Sequence, residues 1–382
     1  MIYLDNAATS FPKPPEVSEA IADLLSHRAG NPGRSGHALA VAAQAVVADT
    51  RRLLASFFGA RDPSRVVFAL NATDALNTAL WGLLRPGDRV VTTSVEHNAV
   101  VRPLSALAAR GVAVARVQCA PDGTLDLEDL ERALAAAPAR VVAMTHASNV
   151  CGTILPVRDA ARLAHRHGAT FLLDAAQTAG VLPIDVVDLG IDLLAFPGHK
   201  GLLGPTGTGG LVVSPDVRLA PLRQGGTGTR SEEERQPEDL PEALEAGTVN
   251  TVGIAGLGAA LRVLQGLGLA HVQAHEAALA TRLLAGLRDI PGVRVHGTGD
   301  PRRQVAVVSI TMDGWEPVDL GAALDSTFGI AARPGLHCAP IAHRTLGTFP
   351  RGTVRLSPGV STTEDEIDRT LAALRELASA AA

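Results

Sequence analysis

Short apolar runs alternate with amphipathic stretches between residues 66 and 213 of the chain. The runs are rich in β-branched residues and do not alternate apolar with polar positions, which is typical of strands buried on both faces of a sheet. They occupy Val66–Leu70, Arg89–Thr92, Val112–Val117, Arg140–Met144, Thr170–Leu173, Leu193–Phe196 and Gly210–Val213.

Helical periodicity lies between several of these runs. Leu125–Ala136 has apolar residues at i, i+3 and i+4 spacing and acids in its first turn. Val157–His167 has a similar pattern and stops before Gly168, a residue type that commonly ends helices. Strands that alternate with helices predict an α/β fold with a mostly parallel, doubly wound sheet.

The pattern changes after the last of these strands. Residues Pro215–Gly247 are rich in Gly, Arg, Glu and Pro, which predicts a long exposed loop of the kind that is usually functional. Beyond it we predict two helices and then a smaller α+β unit. These segments are helices Thr251–Gly266 and Leu269–Asp289, strands Val305–Ile310 and Thr353–Leu356, and a final helix from Thr362.

A chain of 382 residues exceeds what one hydrophobic core usually supports, so we expect two domains. We assign residues 16–250 to a large domain, and residues 1–15 (an N-terminal arm) with 251–382 to a small α+β C-terminal domain. Net charge is −5 with no basic block, which argues against nucleic acid or anionic membrane as partners. No apolar run reaches about 18 residues and the N-terminus lacks a signal-peptide pattern, so we expect a cytoplasmic protein without a membrane span.

The chain has three cysteines, Cys119, Cys151 and Cys338. This low, odd number predicts no disulfide framework, and the lack of C-x-x-C spacing argues against a structural zinc. We expect a reducing compartment and no metal site.

A lysine follows a predicted buried strand in the turn Gly198-His199-Lys200. A lysine held partly out of water can lose its proton near neutral pH and form imines. By itself, a G-x-K sequence is more often a surface loop.

An acid ends another predicted buried strand, in Phe171-Leu-Leu-Asp174. Ligands of open α/β sheets bind at the carboxyl ends of the strands. An aspartate there can keep the pyridine nitrogen of pyridoxal 5′-phosphate (PLP) protonated, although a helix N-cap would look the same.

Two further segments also follow predicted strands. The segment Asn71-Ala72-Thr73 opens a helix, whose backbone N–H groups and Thr73 hydroxyl form a natural phosphate site. In Glu96-His97, the histidine could stack on a cofactor ring, since aromatic residues make up only 3% of the chain. Taken alone, the first segment fits an ordinary helix N-cap, and His97 fits a structural or loop histidine.

Together, and in this order, these segments resemble the class V aminotransferase-fold PLP enzymes, and within them the cysteine desulfurases and selenocysteine lyases. The resemblance extends from Tyr3 to Arg355. It implies PLP fold type I, with a large PLP-binding domain and a smaller C-terminal domain.

The resemblance also implies roles for residues around the cofactor ring. Lys200 would be the Schiff-base lysine, Asp174 would pair with the pyridinium and His97 would stack on the ring. Gln177 would bond the ring O3′, and Asn149 would lie close to ring and substrate.

At the phosphate, the resemblance implies Ala72, Thr73 and His199 as ligands. Thr248, in Gly247-Thr248-Val249-Asn250, resembles a threonine that reaches the phosphate of the neighbouring subunit, which implies a homodimer with shared active sites. Pro197 stands where the family usually has Ser or Thr, and proline offers neither a hydroxyl nor an N–H. We expect one phosphate hydrogen bond to be missing.

The reaction is indicated by Cys338, which lies in a Gly/Pro-rich turn rather than in an apolar strand. Arg333 and His337 beside it favour a thiolate. Cys338 also stands where the SUF-type (group II) desulfurases carry their persulfide-forming cysteine. The common alternative for any cysteine is an inert core residue, as we expect for Cys119 and Cys151.

The resemblance therefore implies that L-cysteine, or a related amino acid, becomes L-alanine while Cys338 takes the sulfur for a persulfide-acceptor protein. Arg355, Arg333, Asn149 and His37 would bind the substrate. A selenocysteine lyase, a C–S β-lyase or an aminotransferase is an alternative on the same fold. A non-catalytic PLP-fold binding protein is disfavoured because Lys200, Asp174 and Arg355 are all present.

Overall fold

A computed structural model describes residues 1–33, 36–230 and 232–381. The strands in chain order are β1 Ile2–Tyr3, β2 Val66–Ala69, β3 Arg89–Thr93, β4 Ala113–Val117, β5 Val141–Thr145, β6 Thr170–Asp174, β7 Leu193–Pro197, β8 Gly209–Val213, β9 Val293–His296, β10 Val308–Met312, β11 Ile330–Ala331, β12 Arg333–Gly335 and β13 Thr353–Leu356.

The helices connect and cover these strands. In chain order they are α1 Pro15–Asp23, α2 Ala38–Phe57, α3 Ala72–Leu83, α4 Asn98–Ala108, α5 Leu127–Ala136, α6 Val157–Arg166, α7 Thr251–Leu267, α8 Leu269–Arg288, α9 Pro317–Phe328, α10 Pro340–Thr345 and α11 Glu364–Ala381.

The seven predicted apolar runs form one seven-stranded sheet in the order β2-β8-β7-β6-β5-β3-β4. Strands β3 to β7 run parallel, and β8 runs antiparallel to its neighbours β2 and β7. Strands β5, β7 and β8 are buried along their whole length because helices cover both faces. Helices α2, α6 and α7 pack on one face, and α3 and α4 pack on the other. The predicted α/β fold with a mostly parallel sheet is therefore confirmed.

The carboxyl ends of the parallel strands meet at one edge of this sheet. Strand β6 ends at Asp174, β7 leads into His199 and Lys200, and β3 leads into His97. Strand β2, antiparallel to β8, ends at the same edge and leads into Thr73. Strand direction alone thus brings four predicted site segments together.

A second sheet is four-stranded and antiparallel, in the order β12-β13-β10-β9. Its core is shared with α8, α9 and α11. The N-terminus joins this part, since β1 pairs with β11 and Ser357 N donates to Leu4 O at 2.7 Å. Helix α7 packs instead against α1 and α2, which lie on one face of the large sheet. The division of the chain at residue 250 stays a prediction, and it separates α7 from the helices that it contacts.

Several predicted boundaries shift by a few residues for identifiable reasons. Strand β10 begins at Val308 rather than Val305, because Val305 N donates to Gly152 O at 2.9 Å. Gly152 belongs to the large-sheet part, by which we mean the seven-stranded sheet with its helices and loops; the small-sheet part is the four-stranded sheet with α8, α9 and α11. The last helix begins at Glu364 because Thr363 caps it. Its hydroxyl accepts from Glu366 N at 3.2 Å, while the Glu366 carboxylate accepts from Thr363 N at 2.9 Å.

The predicted long loop is present, since the described residues between Val213 and Thr251 contain neither helix nor strand. Among the described residues, no helix taken singly has the length and apolarity to cross a membrane. Helices α7 and α8, bent by 80° relative to each other, pass that test as a pair by length and composition alone.

A buried glutamate of the small-sheet part should make the unfolding free energy of the protein depend on pH. Glu276 of α8 is 9% exposed, lines a narrow cleft beside Gln177 and Ser357, and burial raises its pKa from 4.5 to about 8. Above pH 4.5 the unfolded chain ionises this group while the folded protein does not, so stability falls until about pH 8. Relative to Glu276→Gln, the wild type should lose about 2–4 kcal/mol of unfolding free energy between pH 5 and 8 in urea titrations.

The matched control is Glu376→Gln, which changes an exposed glutamate of α11 and should follow the wild type. The same pH dependence in wild type and Glu276→Gln would contradict the prediction.

Candidate active site

Most of the site residues predicted from sequence line one cavity at the carboxyl edge of the large sheet, with a volume of about 290 Å³. They come from the ends of five strands of the large sheet and from β12 of the small sheet. The predicted residues in its lining are Ala72, Thr73, His97, Asn149, Asp174, Gln177, His199, Lys200 and Arg333.

Lys200 lies in the turn that follows β7. Burial, together with the positive charge of Arg355, lowers the pKa of its amine to about 8, although the Asp174 carboxylate opposes this. A substantial fraction of the amine is therefore neutral close to physiological pH, as imine formation requires.

Asp174 ends β6 and is 3% exposed. Its Oδ1 accepts from Ala176 N at 2.9 Å, and burial raises its pKa while Lys200 opposes the shift. A buried carboxylate of this kind is stabilised by a cation beside it. It has the chemistry to hold a protonated pyridine nitrogen.

A second buried carboxyl group, Glu96, was given no role in the sequence analysis. Its Oε1 accepts from Thr93 Oγ1 at 2.5 Å and from Thr145 N at 3.1 Å. Burial raises its pKa to about 8, and the charge of Asp174 adds to the shift. Glu96 is therefore mostly protonated at neutral pH. The sequence signal for it was an acid soon after a buried strand, the same signal that identified Asp174.

His97 caps helix α4 and lines the cavity. Its Nδ1 accepts from Ala99 N at 3.0 Å, so the proton of the neutral ring is on Nε2. Burial, then the charges of Lys200 and Arg333, lowers its pKa to about 4. The ring is a fixed, neutral face at the cavity wall, as a stacking residue requires. The structure thus shows this histidine both as a helix cap and as a residue of the cavity lining.

Another part of the cavity lining fits an anion. Ala72 and Thr73 form the first turn of α3, which Asn71 caps by accepting from Asp74 N at 3.0 Å. Among the described residues, His199 Nδ1 is buried and has no hydrogen-bond partner. An unpaired buried nitrogen beside a helix N-terminus suits a phosphate. Pro197 lines the same cavity without a donor to offer.

Cys338 is exposed, whereas Cys119 and Cys151 are buried. The Cys338 backbone oxygen accepts from Asn98 N at 2.8 Å, which fixes the cysteine turn against the start of α4. Arg333 Nη2 lies 3.7 Å from Cys338 Sγ.

The sequence analysis expected His337 as a second cation beside this sulfur, and that expectation is wrong. His337 is buried, and burial together with the charge of Arg355 lowers its pKa to about 3. Its ring is therefore neutral, and it contacts His343 and the Arg333 backbone oxygen rather than the thiol. Arg333 is the cation that contacts Cys338.

Arg355 of β13 is 1% exposed and lies beside the cavity without lining it. Its Nη2 is 2.7 Å from Asp5 Oδ1 and its Nη1 donates to Asn149 O at 3.0 Å. Among the described residues, its buried Nε has no partner. Asn149 Nδ2 donates in turn to His337 O at 2.7 Å. Arg355 thus connects the small sheet to the cavity wall.

Two predicted site residues lie away from this cavity. Thr248 lines a separate cavity with Gly207 and Asn250. His37 is exposed and caps α2, its Nδ1 accepting from Ala40 N at 3.3 Å. A single chain does not bring either residue to Lys200.

The described residues fit PLP. The lysine with a lowered pKa, the buried carboxylate, the neutral imidazole and the anion site at α3 each match one part of that molecule. The unpaired His199 Nδ1 supports the fit, because a phosphate would give it a partner.

Comparison with known proteins identifies the family to which the chain belongs. The family model described as aminotransferase class V matches residues 2–370. The chain therefore belongs to the class V aminotransferase family.

Its relatives carry a more particular name. The chain is 37% identical to the probable cysteine desulfurase of Methanothermobacter thermautotrophicus, over 99% of this chain and 94% of that protein. It is also 37% identical to the probable cysteine desulfurase of Mycolicibacterium paratuberculosis, a longer protein of which it spans 56%. An apo structure of cysteine desulfurase from Thermococcus onnurineus superposes with a TM-score of 0.93, at 34% identity, over 99% of this chain and 95% of that one.

These findings confirm the predicted family and the type I fold. Assignment to the SUF-type, group II subgroup stays a prediction.

A serine at position 197 should tighten the binding of PLP. Pro197→Ser supplies the hydroxyl that the family usually has there, and a charge-assisted hydrogen bond contributes about 1.5–3 kcal/mol. We expect the Kd for PLP, from absorbance titration of the apo-protein, to fall about ten- to a hundredfold.

Pro197→Ala is the matched control, because it removes the ring without adding a hydroxyl. Equal affinities of the serine and alanine variants would show that no phosphate bond is missing at this position.

Proposed function

We propose that the protein is a PLP-dependent cysteine desulfurase that converts L-cysteine to L-alanine and leaves the sulfur as a persulfide on Cys338. One observation carries the proposal: an exposed cysteine is hydrogen-bonded through its backbone to the start of α4, next to His97 of the lysine-containing cavity. The relatives named cysteine desulfurase support the same assignment.

The cofactor would be held by the residues already described. Asp174 would pair with the ring nitrogen, His97 would stack on the ring and Gln177 would bond the ring O3′. Ala72, Thr73 and His199 would hold the phosphate. When bound, PLP supplies an electron sink next to the Cα of an amino acid.

Two arginines would orient the substrate carboxylate. Arg333 lines the cavity, and Arg355 has an unpaired Nε among the described residues. Guanidinium groups bind carboxylates in a fixed geometry, which places the Cα–H bond towards a base. Lys200 is that base, because its lowered pKa suits proton transfer near neutral pH.

Cys338 would then act on the substrate sulfur. Its sulfur, which lies 3.7 Å from Arg333 Nη2, would attack as the thiolate and form an S–S bond with the substrate sulfur as the Cβ–S bond breaks. The electron pair of the broken bond stays on the carbon skeleton, which takes up a proton at Cβ to give alanine. The persulfide remains on Cys338.

The exposure of Cys338 suits transfer of this sulfur to the thiol of an acceptor protein. The same arrangement would accept selenocysteine, whose carbon–selenium bond is in the same position. A β-lyase or an aminotransferase would have no use for an exposed cysteine at this place.

We also propose a homodimer with shared active sites. Thr248 and His37 do not reach the Lys200 cavity of their own chain. A second subunit could bring them to it. Sedimentation velocity would test the oligomeric state.

Replacement of Cys338 tests the proposed reaction. With PLP, L-cysteine and a reducing agent, the wild type should release alanine and sulfide in equal amounts. Cys338→Ala should lower both by about two orders of magnitude or more, because the nucleophile is gone, while the visible absorbance of bound cofactor is kept. Cys119→Ala, at a buried cysteine outside the cavity, is the control and should remain active.

Two outcomes would contradict the proposal. Full activity of Cys338→Ala would show that Cys338 does not form the persulfide. Pyruvate and ammonia in place of alanine would indicate a β-lyase.

A further inference from the structure

A line of hydrogen-bonded side chains lies behind Cys338. His337 Nε2 is 2.8 Å from Arg333 O, His337 Nδ1 is 3.2 Å from His343 Nε2, and His343 Nδ1 is 2.7 Å from Thr348 Oγ1. All three side chains are buried. We call His337, His343 and Thr348 the histidine chain.

The proton positions along the histidine chain follow from its first contact. A carbonyl oxygen only accepts, so His337 must donate to Arg333 O through Nε2–H. Burial lowers the pKa of both histidines, to about 3 for His337 and about 4 for His343, so both rings are neutral. His337 Nδ1 therefore accepts from His343 Nε2–H, and His343 Nδ1 accepts from the Thr348 hydroxyl. Every ring nitrogen has a partner in this one arrangement.

The histidine chain ends at a strained turn. His337 has φ +49° and Cys338 has φ +56°, in the left-handed region that non-glycine residues rarely adopt. Such a conformation persists only where the surroundings enforce it. Asn149 Nδ2 donates to the His337 backbone oxygen and Asn98 N to that of Cys338, so the large-sheet part holds the turn from one side. The His337 side chain holds it from the small-sheet side.

We propose that His343 and Thr348 are positioning residues that, through His337, hold the Cys338 turn in its left-handed conformation and keep the sulfur beside Arg333. The proposal rests on the proposed role of Cys338 as the nucleophile. Neither His343 nor Thr348 lines the cofactor cavity, so they act on the cysteine and not on cofactor or substrate.

The test compares two substitutions of Thr348 in the holoenzyme. Thr348→Val keeps the shape but removes the hydroxyl, while Thr348→Ser keeps the hydroxyl. The first readout is the rate of Cys338 alkylation by iodoacetamide, followed by mass spectrometry. The second is kcat and KM for alanine formation from L-cysteine.

In Thr348→Val, His343 loses the hydrogen-bond donor to its Nδ1. The Cys338 turn is then held less firmly, and the Cys338 thiol is no longer kept beside Arg333. We expect alkylation and kcat to fall about three- to tenfold, the effect of one neutral hydrogen bond. KM and the cofactor absorbance should not change, and Thr348→Ser should restore both rates. His343→Leu should slow alkylation at least as much as Thr348→Val. The double variant His343→Leu with Thr348→Val should be no slower than His343→Leu alone, because the two residues act as one unit.

An alkylation rate of Thr348→Val that is unchanged or faster than wild type overturns the proposal. So does additivity in the double variant. The alkylation measurements do not need cysteine turnover, so they decide the role of the histidine chain even if the protein makes no alanine. Failure of the proposed function would appear separately, as a wild type that alkylates normally but releases no alanine.

Discussion

Removal of ionisable groups from water is the constraint around which the site is built. Lys200, Asp174 and Glu96 are held together at the carboxyl edge of a sheet whose strands are covered on both faces. Burial makes every charge there costly, so it lowers the pKa of the lysine and raises the pKa of both acids. The result is a reactive amine, one carboxylate that needs a cation, and a second carboxyl that stays protonated. A protonated PLP ring would offer that cation, and a neutral Glu96 leaves Asp174 without a competing negative charge.

Polar contacts between the two sheets place the cysteine relative to this centre. Arg355 of β13 contacts Asn149 of the large-sheet part and Asp5 of the N-terminal arm. Asn149 and the start of α4 in turn hold the two backbone carbonyls of the cysteine turn. The position of Cys338 is therefore specified jointly by segments far apart in sequence. The exposure of its sulfur and the burial of His337 follow from the same turn.

The parts of the fold that were predicted well are those with strong local signals. The central strands are continuous apolar runs, and Gly168 ends α6 with φ +71°, as a helix-ending glycine should. Where a distant contact competes with the local pattern, prediction was less accurate. Val305 is apolar and β-branched like a strand residue, yet its N–H bonds Gly152, and the strand begins later.

The sequence by itself determined the α/β architecture and the family, and it singled out Lys200, Asp174 and Cys338 as candidate site residues, because strand burial, strand ends and residue order are local properties. It left open which way His337 faces, and our expectation of a cation there was wrong. It assigned no role to Glu96, His343 or Thr348. Their charge states and partners depend on desolvation and on contacts made only when the two sheets and the cysteine turn pack together. Only the tertiary structure decided that Glu96 is neutral, that Arg333 is the cation at the sulfur, and that a line of histidines lies behind the cysteine.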